Sequence, residues 1–335
     1  MEKTIDFLIL THNSKNYIEK LLNNIINLQD FNNKIHKIII LDDNSIDNTL
    51  ELIIDFLNES NISNYELIKL DKKYGVFYNR VLLLEHSNND YAFFIDDDDW
   101  VDNNMIKVFN ECSVYNYDLI YLKRVFVFKD HMINKEEKDG IHVENLDFIK
   151  FMFNKQTEMY TTGIFIQNSL IRNTLNYINK QDMLDIYIFE DIPITFLFIT
   201  LSKKKLIADS IYFYNKTNQN SLSTKNNKNF VNQNATKIIN FVQKIFHLLP
   251  NDLKNKIEIK NFFFLVKLWL SWLILQTATN IKQINEIRKI RNKYLKNEKI
   301  NDFIFDYTNL LIWIIIKHKT LSVLFFLYKK YFKKT

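Results

Sequence analysis

The chain has 335 residues, 47% hydrophobic and 25% charged, with a formal charge of +5. That profile suits a soluble globular protein of one large domain plus a smaller one, or of two domains, and the weak basic excess, with no basic stripe interleaved with aromatics in the N-terminal half, argues against a nucleic-acid partner. Three glycines exclude a Gly-rich phosphate loop, and the lone Cys112 excludes both an internal disulfide framework and a Cys-based zinc site.

The first ten residues carry Glu2, Lys3 and Asp6 around a short apolar run. This is not the pattern of a secretory signal, so a cytoplasmic protein is expected. Thr4 to Leu10 reads as a buried strand, and Thr11-His12-Asn13-Ser14 turns the chain, with Asn13 or Ser14 available to cap a helix. Tyr17, Leu21, Ile25 and Leu28 then recur at helical spacing. His36 to Leu41 is a second strand that ends in Asp42-Asp43-Asn44-Ser45. Asp47 is placed to cap the next helix, whose apolar face is Leu50, Ile53, Ile54 and Leu57. Tyr65 to Leu70 is a third strand, Arg80 to Glu85 lies in a helix, and Tyr91 to Ile95 is a fourth strand. Alternation of this kind predicts a mostly parallel sheet with right-handed crossovers.

The fourth strand runs into Asp96-Asp97-Asp98-Asp99-Trp100. Acidic runs are usually solvated turns, but this one follows a buried strand. In open α/β sheets the C-terminal strand tips form the ligand crevice. Four adjacent carboxylates repel one another unless a cation is bound, and a hard divalent ion with oxygen ligands fits them. Asp42-Asp43 ends a parallel strand and should face the same crevice, one cluster suiting a metal and the other a base or ribose.

Further on, Asp118 to Phe128 reads as a strand, Lys129 to Asp139 as a loop, and Tyr160-Thr161-Thr162-Gly163 as a small-residue turn. Phe189-Glu190-Asp191-Ile192-Pro193 opens a helix whose first turn holds carboxylates. Asp209 to Tyr214 is a last strand, and Lys216 and Asn218 follow it. Beyond 223 the composition turns Asn- and Lys-rich, and then helical runs are expected over 238–249, 262–278, 281–295 and 308–332. Three readings of this C-terminal part stay open: a small bundle packed on the rest, a basic amphipathic face on an anionic membrane (Lys329, Lys330, Lys333 and Lys334), or an oligomerisation element. His131, His142 and His247 show no ligand spacing.

Three motifs in order, Leu10-Thr11-His12-Asn13, Leu41-Asp42-Asp43-Asn44-Ser45 and Ile95-Asp96-Asp97-Asp98-Asp99-Trp100, resemble those of the family 2 glycosyltransferases of the GT-A fold. The resemblance covers roughly the first 220 residues. It implies a Rossmann-like, mostly parallel central sheet flanked by helices, plus a C-terminal helical region. In domain terms it implies a catalytic unit over 1–223, with nucleotide-sugar binding in 1–100 and the acceptor side in 101–223, and a helical part over 224–335.

The resemblance also implies roles. Thr11, Asn13, Asp43, Arg80, Asp96, Asp97 and Lys216 would border a UDP-sugar, with Asp43 accepting a hydrogen bond from uracil. Arg80 ends Gly75-Val76-Phe77-Tyr78-Asn79-Arg80, and Val81 stands where the family often has Asn. Asp98 would bind Mn²⁺ or Mg²⁺ directly, Asp96 would face the ribose or a metal-bound water, and Asp99 is the alternative ligand. Asn218 stands where several relatives carry a His near the metal or diphosphate, and Lys216 would neutralise the diphosphate. Asp191 would be the general base, which a sugar hydroxyl needs to become a nucleophile. Glu190 would position the acceptor or the loop. The implied reaction is inverting transfer to a glycan or lipid-linked acceptor of a surface polysaccharide, by a cytoplasmic enzyme for which peripheral contact with the inner face of the membrane is one reading. A nucleotidyltransferase, which would need a Gly-rich loop near residue 10, and a degenerate sugar-binding scaffold are the competing readings.

Overall fold

A computed structural model describes residues 2–32, 36–60, 62–129, 132–134, 142–144, 159–218 and 228–256, with 259, 260, 262, 263, 266 and 270. The elements in order are β1 (Ile5–Thr11), α1 (Ile18–Ile26), β2 (Lys37–Asp42), α2 (Thr49–Glu59), β3 (Tyr65–Lys69), α3 (Val76–His86), β4 (Tyr91–Asp96), β5 (Trp100–Val101) and α4 (Met105–Ser113). There follow β6 (Leu119–Val127), β7 (Met132–Asn134), β8 (His142–Glu144), β9 (Ile164–Gln167), α5 (Asn168–Leu175), a 3₁₀ turn (Lys180–Met183), α6 (Asp191–Leu201), β10 (Lys204–Asn215), α7 (Lys228–Leu248) and α8 (Asn251–Lys254).

One sheet runs in the order β3-β2-β1-β4-β9-β6-β10-β5, with β7 on β6 and β8 on β10. From β3 to β4 every pairing is parallel. Beyond β4 the sheet is mixed: β9 lies antiparallel to both β4 and β6, and β6 and β10 are parallel. The parallel strands are apolar throughout because both faces are covered. Alternate residues enter opposite cores. Ile5, Phe7 and Ile9 of β1 pack with α1, α2 and α4, while Leu8 packs with α3, α5, α6 and α7. The parallel register brings Leu10 opposite Asp96 and Thr11 opposite Asp42, so both acidic strand ends fall on one edge.

Several expectations shift in detail. Helix α3 begins at Val76, earlier than expected, directly after the left-handed Gly75. Neither Asn13 nor Ser14 caps α1, which starts at Ile18; Ser14 is occupied with Asp97 instead. Asp47 does serve the start of α2, accepting from the Thr49 amide at 3.0 Å. The stretch expected as a loop after β6 contains β7, and β10 begins five residues before Asp209. Helix α7 shares a core with the elements before it. Ala235, Ile238, Ile239, Val242 and Ile245 lie in the same core as α6, which is buried on every side because the sheet covers one flank and α7 the other. Residues 259, 262, 263, 266 and 270 join that core at helical spacing. The runs expected over 281–295 and 308–332, the four C-terminal lysines and His131 lie outside the described residues.

Candidate active site

The turns after β1, β2 and β4 are tied into one edge. The Asp43 amide donates to Thr11 O at 2.9 Å, and Asn13 takes the Ile46 amide on its Oδ1 at 2.9 Å. Asn13 is left-handed (φ 54°), a conformation Asn tolerates better than most residues. His12 Nδ1 lies 2.8 Å from the Asp43 carbonyl, which can only accept, so Nδ1 carries the proton. Nε2 is then the acceptor for Lys73 Nζ at 2.7 Å. Asp42 turns away from the crevice and holds Ser45.

The four carboxylates of the acidic run have four different surroundings. Asp96 accepts from Arg80 Nη2 at 3.0 Å. Asp97 turns back under β1, where it accepts from the His12 amide at 3.3 Å and from the Ser14 hydroxyl. Asp98 accepts from Asn218 Nδ2 at 2.7 Å. Asp99 is 3% exposed and has both oxygens taken: Tyr212 Oη donates to one at 2.5 Å and the Asn215 amide to the other at 2.7 Å. Burial and the charge of Asp98 push Asp97 up to about 7. Burial and the charge of Asp96 push Asp98 up to about 6, against the pull of Asn218 and Lys216. Burial is the larger cause in both, and mutual repulsion adds to it.

Arg80 joins this edge to the helix that carries the second acidic motif. It is buried, and its Nε lies 3.4 Å from Glu190 Oε1 and 3.6 Å from Asp191 Oδ1. Burial opposes its charge, but Asp191, Asp96 and Glu190 together hold it protonated beyond its ordinary range. Glu190 is held well above the usual carboxylate range by burial and by Asp191. Asp191 opens α6 and accepts from the Thr161 amide at 3.2 Å and from the Thr161 hydroxyl. Lys216 sits 4.3 Å over the Tyr214 ring and close enough to Asp98 to lower its pKa.

The structure thus brings Thr11, Asn13, Asp43, Arg80, Asp96, Asp97, Asp98, Asp99, Glu190, Asp191 and Lys216 to one region. They differ in exposure. Asp97 and Asp99 are turned inward onto protein donors, and Arg80 is enclosed by carboxylates. Residues outside the expected set support the site. Tyr212 also accepts from the Asp96 amide at 3.2 Å, so one hydroxyl braces both ends of the acidic turn. Arg124 lies 4.1 Å over Tyr160 and 4.5 Å over Tyr212 and donates to Thr162 O, beside the threonine that holds Asp191. Nothing local in the sequence marks Tyr212 or Arg124, since each is an ordinary strand residue until β6, β9 and β10 pair. Gly163 is the exception: it is left-handed, and a Cβ there would lie 3.0 Å from the Tyr212 ring.

The donor set at Asp96, Asp98 and Asn218 is all oxygen, apart from the Asn218 nitrogen that Asp98 engages. It suits a hard divalent cation. Among the described residues no three His, Cys, Asp or Glu side chains converge on one point.

The fold has relatives among known proteins. Among curated proteins, the poly(ribitol-phosphate) beta-N-acetylglucosaminyltransferase TarS of Staphylococcus aureus is 28% identical over 100 residues, 30% of this chain. The match spans 17% of that protein's length. The solved structure of S. aureus TarS 1-349 in complex with UDP-GlcNAc superposes with a TM-score of 0.58 at 15% identity, covering 95% of this chain and 88% of that one. A mannosyltransferase from Pyrobaculum calidifontis, PcManGT, in complex with GDP-Man and Mn²⁺, gives a TM-score of 0.53 at 10% identity over 98% and 88% of the two chains. At these identities the likeness speaks for a shared fold. The sequence model described as glycosyl transferase family 2 matches residues 6–176, just over half the chain, and the chain belongs to that family.

Proposed function

We propose that this chain transfers a sugar from a UDP-sugar to an acceptor hydroxyl with inversion at the anomeric carbon. One observation carries the reading. Arg80 contacts Asp96 at the donor edge and Asp191 at the start of α6, so two acidic motifs far apart in sequence share one buried guanidinium. A donor site and a proton acceptor on opposite sides of one cluster are what a single in-line displacement requires.

Asp43, Thr11 and Asn13 border the nucleoside end, and Asp96 and Asp98 the diphosphate end, with Lys216 beside Asp98. A divalent cation bound at Asp96 and Asp98 would neutralise charge developing on the leaving diphosphate. Asp99 leaves the ligand set because Tyr212 and Asn215 occupy it. Asp191 takes the acceptor proton. The donation from Thr161 fixes that carboxylate's orientation, and Glu190 braces it through Arg80. No protein nucleophile is needed. The catalytic unit comprises 1–223, with the donor half in 1–100 and the acceptor half in 101–223, and the helical region from 224 supports it.

The TarS complex with UDP-GlcNAc supports a uridine donor, the PcManGT complex supports metal use, and the TarS name supports a polymer of the poly(ribitol-phosphate) kind as acceptor. No helix among the described residues is long and apolar enough to cross a membrane. We place the enzyme in the cytoplasm, at the membrane where such acceptors are assembled. The decisive assay is UDP release from a panel of UDP-sugars with Mn²⁺ and with EDTA. Asp191→Asn is expected to lower turnover at least about a hundredfold while UDP binding persists. Equal loss of binding would reassign Asp191 to structure, and no metal-dependent UDP release from any donor would overturn the reading.

A further inference from the structure

The outer edge of the sheet plays no part in the catalytic reading. Strand β3 ends the sheet, with β2 on one side and no strand on the other among the described residues. Its backbone phase follows from its two flanks. The Asn64 carbonyl accepts from the Ile38 amide, and the Leu70 amide donates to the Asp42 carbonyl, so the even-numbered residues bond inward to β2. Backbone groups alternate along a strand, and Tyr65, Leu67 and Lys69 therefore point their N–H and C=O outward. The side chains of these residues share the sheet face that α2 covers, since Leu67 packs with the core of α1, α2 and α4 while Ile68 packs with the opposite one.

Isolated edges are normally blunted with charge. This edge is apolar instead: Tyr65 is 42% exposed, and so is Ile54 of α2. Ile54 lies on the flank of α2 opposite Leu52 and Phe56, which pack into the core. Lys69 stands at the end of the strand, not in its middle. The charges have opposite signs at the two ends of the edge. Lys69 closes β3, whereas Asp55 and Glu59 lie in the C-terminal half of α2, which leads back to the start of β3. All three are exposed, and none has an ion-pair partner among the described residues. Glu59 also sits at the negative end of its helix, with no basic residue in the last turn.

We infer that this edge is the interface of a symmetric dimer, in which β3 pairs antiparallel with β3 of a second copy about an axis at Leu67. Such a pair sets Leu67 opposite its own copy and Tyr65 opposite the partner's Lys69, and these are the residues whose backbone groups are open. The same rotation keeps both copies of α2 on one face, side by side over the new seam. It carries each Lys69 to the end where the other copy holds Tyr65, Asp55 and Glu59. One chain supplies both halves of this charge pattern, which is what a self-complementary interface requires. The strands of the two copies run in opposite directions, so the two carboxylate-bearing edges lie at opposite ends of the continuous sheet and stay open.

The test is sedimentation velocity on the full chain from about 1 to about 100 μM, with a concentration-dependent dimer as the expected result. Leu67→Pro removes an N–H that the monomer leaves unpaired, and should abolish the dimer. Lys69→Glu, and separately Asp55→Lys with Glu59→Lys, should each weaken self-association at least about tenfold, because like charges then meet across the seam. Mixing these two charge variants should restore a dimer, since both contacts become attractive again. In the wild type, the amides of Tyr65, Leu67 and Lys69 should gain hydrogen-exchange protection as concentration rises. Thermal melting checks folding, and if Leu67→Pro does not fold, the charge variants at exposed positions carry the test. A wild-type chain that stays monomeric at about 100 μM overturns the inference. So does a dimer that the charge variants leave unchanged and whose β3 amides gain no protection, because its interface then lies elsewhere.

Discussion

Arg80 faces Asp96, Glu190 and Asp191 from a position only 4% exposed, and its ring contact with Phe94 closes the remaining side. Removing that cation strands Glu190, itself 8% exposed, beside Asp191. Breaking a buried pair on one side costs about 3–5 kcal/mol. Arg80→Met should therefore lower the urea midpoint strongly and abolish transfer, while Arg80→Lys, a point charge without the fork, should recover stability better than turnover. Tyr212 is the second pivotal side chain. Tyr212→Phe leaves the Asp99 carboxylate buried with one donor fewer, at a cost of about 1–3 kcal/mol readable by denaturant unfolding. Because the same hydroxyl braces the Asp96 amide, donor affinity should weaken along with stability.

At the scale of elements, the start of α3 and the loop before α6 are stitched together. The Asp185 amide donates to Tyr74 O at 3.0 Å and the Phe77 amide to Ile186 O at 3.2 Å. Gly75 sits between them at φ 99°, where a Cβ would lie 2.8 Å from the Ile186 nitrogen and 2.9 Å from its oxygen. Glycine is required twice over, by conformation and by space. Gly75→Ala should cost roughly 1–3 kcal/mol in strain. It should also depress kcat beyond what the loss of stability explains, since the displaced loop leads directly into Glu190. Helix α7 holds the other side of this loop: the Tyr187 amide donates to Asn234 Oδ1 at 3.2 Å, and Lys237 Nζ reaches Leu184 O at 3.5 Å. Activity is therefore expected to depend on α7 even though none of its residues belongs to the crevice.

Across the whole molecule, the carboxylates crowded at one sheet edge set the pH response. Asp97 titrates near 7 in the fold against a reference value of 3.8. Between those values the folded chain binds more protons than the unfolded chain, so this group's contribution to stability falls as pH rises through that window. The penalty is absent below the unfolded value and complete above about pH 7. Asp98, near 6, acts in the same direction over a narrower range. Asp97→Asn is expected to raise stability by about 1 kcal/mol or more at pH 8 and to change it little at pH 4, measured by urea unfolding at both. Added Mn²⁺ should raise the melting temperature more at pH 8 than at pH 5, because protonation and the cation relieve the same repulsion, and EDTA should reverse the gain.

The parallel half of the fold was legible in the sequence because its signals are local. An apolar run, a cap and a turn each need only neighbouring residues, and parallel strands place their C-terminal ends together without further information. The acidic clusters at 42–43, 96–99 and 190–191 could be marked for the same reason, as carboxylates at element boundaries, whereas the role of each residue within them came only from the resemblance to the family. What each carboxylate touches was decided only by tertiary structure. Asp97 and Asp98 are adjacent and chemically identical, yet one turns under β1 to Ser14 and the other meets Asn218. Asp99 is withdrawn by Tyr212, a partner that exists only once β10 lies across β6 and β5. Arg80 is marked in the sequence only by the resemblance, and its enclosure by Asp96, Glu190 and Asp191 exists only once α3 and α6 are brought together. Residue type sets what a group can do, but burial and long-range partners set its charge and direction, and these come from contacts between segments distant in the chain.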